Sequence, residues 1–248
     1  MKATLLMIGA TTMLFCSTAL ASEMVKLLPG TADEISAYVS GPEDAAQRVL
    51  IVHDYFGLSL STKSEAVWFG NNGICATAID LYGGKSATTG KEAEALMNGL
   101  DPKSAAKTVH TALAAIGAKE HKVTVIGFSM GWLIALNAQI ANPDMVDGAA
   151  LVYGGSYESI ADKDLKGLKS PVLVVTGSKD SWAFPSLQAL EKRMAEFGNP
   201  VESFVYPGVD HGYAQLMFNG GKNYDITAAM STRNVVGDFV KRASRDSN

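Results

Sequence analysis

From residue 48 onward the sequence alternates short strand-like runs with longer runs of helical period, and no other feature restricts the fold as much. The strand-like runs are RVLIVH (48–53), ICATAI (74–79), KVTVIG (122–127), GAALVY (148–153), PVLVVTG (171–177) and VESFVYP (201–207), several of them almost continuously apolar. Strands that are apolar on both faces must be covered on both, as in parallel sheets flanked by helices. Between them, Asp101-Pro102 reads as an N-cap and first-turn pair, and Val109, Leu113 and Ile116 form a stripe ending near Gly117. Further helices are predicted over 130–141, stopped before Pro143, over 185–197, ended by Gly198-Asn199-Pro200, and over 226–240. EISAYV (34–39) alternates with period two and is expected to be an early antiparallel strand. This order predicts an α/β domain with a mostly parallel, doubly wound sheet flanked by helices. The stretch from Gly154 to Ser170 is too short for a sizeable lid domain, so an open cleft and a small or accessible substrate are expected.

Composition narrows the class. Hydrophobic residues are 47% of the 248 and charged residues 19%, which suits a cored globular domain and excludes a disordered one. The net charge of -4 shows no basic excess, so nucleic acid is not an expected partner. No Lys/Arg-rich amphipathic segment points the mature protein to a membrane surface. The first 21 residues read as a signal peptide. Lys2 is their only charge, an apolar stretch follows, and Ala19-Leu20-Ala21 has the small-x-small pattern of a cleavage site. The stretch is interrupted by Gly and Thr and is short for a membrane anchor. Phe15 before Cys16 argues against lipidation. Cleavage after Ala21 would give a periplasmic or secreted domain, 22–248, with Cys75 as its single cysteine. Core burial rather than a disulfide must then hold it together, and Cys75 in its apolar run reads as a buried small hydrophobe.

In an open α/β sheet, sites form at the carboxyl ends of the strands. Four polar residues stand there: Asp54 in VHDYFG, Ser129 in GFSMG, Asp180 in TGSKDSW and His211 in YPGVDHGY. A serine between glycines at a strand-to-helix turn has two readings, a tight turn or a nucleophile held out of the backbone. The later residues favour the second. Ser129, Asp180 and His211 follow one another in the chain order of α/β-hydrolase triads. The chemistry needs each of them. A serine hydroxyl is weak until a base takes its proton, histidine titrates near neutrality, and a carboxylate fixes the imidazole tautomer. The turn aims the N–H of Met130 at a developing oxyanion, and the loop after 48–53 would supply a second donor from Tyr55. His110 lies within a helix and His121 precedes the nucleophile strand. Asp144 and Asp147 fall at the wrong end of the sheet, and Asp210 adjoins His211 too closely to orient its ring.

These segments together resemble the dienelactone hydrolase family, over essentially the whole mature chain. HDYFGL, AIDLYGG, GFSMGW, GSKDSWAFP and YPGVDHGY each resemble a family segment. The resemblance implies the α/β-hydrolase fold, the triad Ser129, Asp180 and His211, and an oxyanion hole from Met130 and Tyr55. The chain departs from the family at informative places. Ser129 stands where the best-known members have cysteine, and Asp54 where they have a glutamate that contacts the resting thiol. Three roles are open for Asp54: orienting Ser129, binding substrate or water, or shaping its loop. Gly83-Gly84, followed by Lys85, occupy the place of an arginine that binds the substrate carboxylate in dienelactone-cleaving members. This argues against dienelactone itself. Trp132 replaces a glycine and either fills space above the sheet or narrows the pocket, and Tyr82 and Trp182 are candidate pocket walls.

The expectation is an exported serine hydrolase of small esters or lactones, a monomer or small homo-oligomer. It uses no cofactor or metal, since no His/Cys cluster has ligand spacing. A thioesterase, an amidase or peptidase, and a non-catalytic binder on the same scaffold are the rivals.

Overall fold

In the computed structural model, which describes residues 22–199 and 201–243, the six strand-like runs are strands of one sheet. They are β3 (Gln47–Val52), β4 (Cys75–Ile79), β5 (Lys122–Phe128), β6 (Gly148–Val152), β7 (Val172–Gly177) and β8 (Glu202–Tyr206), all parallel to their neighbours within this set. The early strand is β2 (Ile35–Ser40), antiparallel to β4. A further strand, β1 (Ser22–Leu27), pairs antiparallel with β2 and closes that edge. The sequence reading did not anticipate β1. Its Glu23 and Lys26 interrupt the apolar pattern, as suits an edge strand that must not recruit another chain. The predicted signal segment and Pro200 lie outside the described residues.

The strand order is β1-β2-β4-β3-β5-β6-β7-β8. The chain moves from β3 outward to β4 and then crosses back to place β5 on the other side of β3. The order therefore reverses between β3 and β5, and the loops leaving these two strands diverge there to form a crevice.

Helices cover both faces. Helices α3 (Pro102–Ala115), α4 (Gly131–Ala141) and α6 (Ala183–Glu196) bury Leu113, Leu136 and Leu187 in the cluster on one face. Helices α1 (Leu60–Asn71) and α7 (Ile226–Arg242) bury Phe69 and Phe239 in the cluster on the other. Helix α2 (Gly90–Asn98) is held by a capping box between Thr89 and Glu92, and α5 (Asp162–Lys166) is a single short turn in the β6–β7 connection. Asp101 caps α3 as expected, accepting from the Ser104 N–H at 2.8 Å. The chain carried no clear signal for α1 and α2. LSTKSEAVWFGN lacks a clean apolar stripe, and its helix is set by the Ser59 cap and by packing on β2 and β4. Arg233 of α7 grips buried Glu65 of α1 through two 2.9 Å bonds, tying the helices of this face together.

Candidate active site

Strand β5 ends in Gly127-Phe128-Ser129, and α4 starts two residues later. The turn is tight enough to force Ser129 into the left-handed region, φ 45°. An L-residue held there costs roughly 1–2 kcal/mol, and such strain survives only where the surroundings impose it. The Ser129 N–H donates to Val152 O of β6 at 2.9 Å. The flanking glycines let the helix approach the strand closely. A Cβ on Gly131 would stand 2.6 Å from Val52 O and 2.7 Å from His53 O, and one on Gly127 would collide with the Gly131 carbonyl.

The loops after β7 and β8 bring the partners to this serine. Asp180 is buried at the start of α6, where its Oδ1 accepts the N–H groups of Trp182 and Ala183 at 3.1 and 2.8 Å. Its Oδ2 lies 2.6 Å from His211 Nδ1. A carboxylate can only accept, so Nδ1 carries the proton and Nε2 is left as an acceptor. The Ser129 hydroxyl donates to it at 3.0 Å. Asp210, the adjacent acid, accepts the backbone N–H of His211 instead, so it shapes the loop and leaves the ring to Asp180. Tyr153, Trp182 and Phe218 pack around the imidazole, with ring centroids 5.4, 5.4 and 5.2 Å away.

Two donors near the serine are unspent. Helices α1, α2, α3 and α7 have side-chain caps, whereas α4 begins at Met130 with none. Among the described residues the N–H groups of Met130 and Tyr55 have no protein acceptor. Tyr55 follows β3 and Met130 follows β5, so the two flank the point where the strand order reverses.

The substrate-binding candidates divide. Trp182 is 43% exposed, with its indole N–H on Ser156 Oγ. Tyr82 is half-buried and donates its hydroxyl to Met130 Sδ at 3.2 Å; burial pushes its pKa above the usual range. Trp132 is only 4% exposed and packs edge-on against Tyr157, over Gly154. It fills the core beside the sheet and is no pocket wall. Asp54 is buried and makes no bond to Ser129. Its Oδ1 accepts the Phe56 N–H at 2.8 Å and its Oδ2 accepts from Gln215 Nε2 at 2.6 Å. Loop shaping is therefore the role its contacts fit. His53 is fully buried, with Nδ1 against Asp54 O and Nε2 accepting from Leu81 N.

Gln215 and Phe218 went unseen in the sequence. Gln215 is 2% exposed and uses both ends of its amide. While Nε2 holds Asp54, Oε1 accepts from Ser61 Oγ and the Met217 N–H at 2.6 and 3.2 Å. It thereby locks the loop carrying His211 to the loop carrying Tyr55. No local pattern marks a glutamine for this, since its partner is 161 residues away.

The clamp has a pH signature. Burial raises the Asp54 pKa from 3.8 to about 6, against the opposing hydrogen bonds from Gln215 and Phe56. A folded pKa above the unfolded one means stability present below about pH 4 and lost as pH rises through about 6. Removing the Gln215 donor raises that pKa further and enlarges the loss. Gln215→Leu is therefore expected to destabilise by about 1–3 kcal/mol at pH 8 and by clearly less at pH 5. Urea unfolding of wild type and variant at both pH values checks this. Equal losses would show that the Asp54 charge is not what Gln215 serves.

The sheet order and the serine turn after β5 define the α/β-hydrolase class. The sequence profile described as the dienelactone hydrolase family matches residues 35–244, and the chain belongs to that family. It is accordingly a hydrolase of the carboxylic-ester type. Hydrolase tropI of Talaromyces stipitatus is 26% identical over an alignment 200 positions long that covers 73% of this chain and 76% of that protein. The fold is shared with a dienelactone hydrolase-like promiscuous phosphotriesterase, P91, from metagenomic libraries. Its TM-score is 0.75 at 19% identity, over 90% of this chain and 98% of that one. It is shared too with a dienelactone hydrolase of Anabaena variabilis, TM-score 0.68 at 18% identity, over 91% and 99%.

Proposed function

We propose that the protein is an exported serine hydrolase that cleaves a small ester or lactone through Ser129, His211 and Asp180. The observation that carries this is the unbroken relay from Ser129 Oγ to His211 Nε2 and from Nδ1 to Asp180, at 3.0 and 2.6 Å. His211 takes the hydroxyl proton as Ser129 attacks the carbonyl carbon. The oxyanion that forms accepts from the N–H groups of Met130 and Tyr55, which no protein acceptor among the described residues holds. Asp180 keeps the proton on Nδ1 and stabilises the imidazolium. His211 then protonates the leaving alkoxide. Water resolves the acyl-enzyme by the same route, with His211 as base.

A panel of acyl substrates, comprising an ester, a lactone, a thioester and an anilide, tests the bond. Turnover of the ester and the lactone is expected to exceed the rest, and a preference for the anilide would overturn the reading. A fluorophosphonate should label the protein at Ser129. Export rests on the first 21 residues, and the mature N-terminus is expected at Ser22. Edman sequencing of the protein recovered from its native compartment checks this, and an N-terminus at Met1 refutes it.

A further inference from the structure

Helix α4 is apolar on every side, with Asn137 and Gln139 its only polar residues. Such a helix is normally covered all round. Here one stripe stays open. Leu133, 37% exposed, and Ile134, Asn137 and Ala141 face a groove whose far wall is built by Met97 at the end of α2 and by Ala106 and Val109 of α3. The groove encloses about 570 Å³, within the range of ligand pockets, and no charged side chain lines it.

Met130 joins this groove to the site of chemistry. Its N–H is one of the two proposed oxyanion donors, and the residue also lines the groove, with Sδ held by the Tyr82 hydroxyl. From Met130, α4 runs away from the carboxyl edge of the sheet. Eleven residues at the helical rise extend the groove about 16 Å from the active site.

We propose that this groove receives the acyl chain of the substrate, and that the substrates are esters of an uncharged, medium-length aliphatic acid. The proposal rests on the Ser129 reading and deepens it. The direction follows from the chemistry. The leaving oxygen must face His211, which protonates it, so the alcohol lies toward Trp182 and Phe218. With the carbonyl oxygen on the Met130 N–H, the remaining substituent on the carbonyl carbon is the acyl chain, and Met130 is the residue that site and groove share. Its lining gives an anionic acyl group no cation to pair with, and Gly83-Gly84 after Tyr82 supplies none.

The test is a series of p-nitrophenyl acetate, butanoate and octanoate, with the purified protein and Ala106→Trp. Ala106 is exposed on α3, so an indole there fills the groove and not the core. Wild-type kcat/KM is expected to rise about ten-fold or more from acetate to octanoate. The variant should keep the acetate rate and lose about ten-fold on octanoate. Leu133→Asn gives the same discrimination from the opposite wall, should the tryptophan prevent folding. A flat or falling wild-type series overturns the proposal, as does an equal loss on acetate and octanoate. A dimer that Ala106→Trp converts to monomer in sedimentation also overturns it, because the groove would then be an interface between copies. Fluorophosphonate labelling separates the two readings. A labelled enzyme without chain-length preference fails the groove alone, while an unlabelled and inert one fails both.

Discussion

Ser129→Ala is expected to lower ester turnover by about a million-fold while leaving the fold intact. In the proposed mechanism the nucleophile, its base and the acid act as a unit, so losing the attacking atom would cost nearly as much as losing all three. A small residual rate over water would come from the Met130 and Tyr55 N–H groups, which the substitution does not touch. Fluorophosphonate labelling should vanish in the same variant, and an alanine protein that still labels would move the nucleophile elsewhere. The elbow adds a second readout. Because Ser129 sits at φ 45°, glycine there removes backbone strain that alanine keeps. Ser129→Gly should be equally inactive and should unfold at a higher temperature than Ser129→Ala. A lower midpoint would mean that the turn stores no strain.

Asp180→Asn should lower kcat by about four orders of magnitude with little change in stability. Asparagine can keep its Oδ1 on the N–H groups of Trp182 and Ala183, so the start of α6 survives. Its amide then faces His211 Nδ1 with a donor where the carboxylate had an acceptor. The imidazole answers by moving its proton to Nε2, which turns that nitrogen from an acceptor of the Ser129 proton into a donor toward Ser129. Alanine would be a poorer test, because it also strands two helix N–H groups. Near-full esterase turnover by the asparagine variant would exclude Asp180 as the orienting acid.

The serine also bears on Asp54. Where family members with a cysteine nucleophile place a glutamate against the resting thiol, this chain has a shorter acid turned away. Asp54 is held by Gln215 and Phe56. A neutral hydroxyl needs no neighbouring charge to keep it in check. The hydrogen bonds of Asp54 instead tie the loop carrying Tyr55 to the loop carrying His211.

The sequence by itself determined the sheet and the chain order of the proposed triad. Runs such as RVLIVH and PVLVVTG are apolar on both faces, and only a strand covered by helices on both sides can bury them. Ser129, Asp180 and His211 were legible because each lies in the loop after a strand, β5, β7 and β8, where parallel strands deliver their ends to one edge. Tertiary structure decided what depends on contacts between distant segments. β1 is a strand because β2 offers it an edge, since half of its own residues are polar. Gln215 is a clamp because packing brings it to Asp54 and Ser61. Trp132 lies in the core because Tyr157 and Gly154 form its socket, a choice the sequence left open. The groove beside Met130 exists because α2 and α3 stop short of covering α4. Local hydrophobic pattern is set by which faces must leave water, and that is written along the chain. Which side chains then meet across a loop or line a gap depends on how whole elements pack, and no short stretch of sequence encodes that.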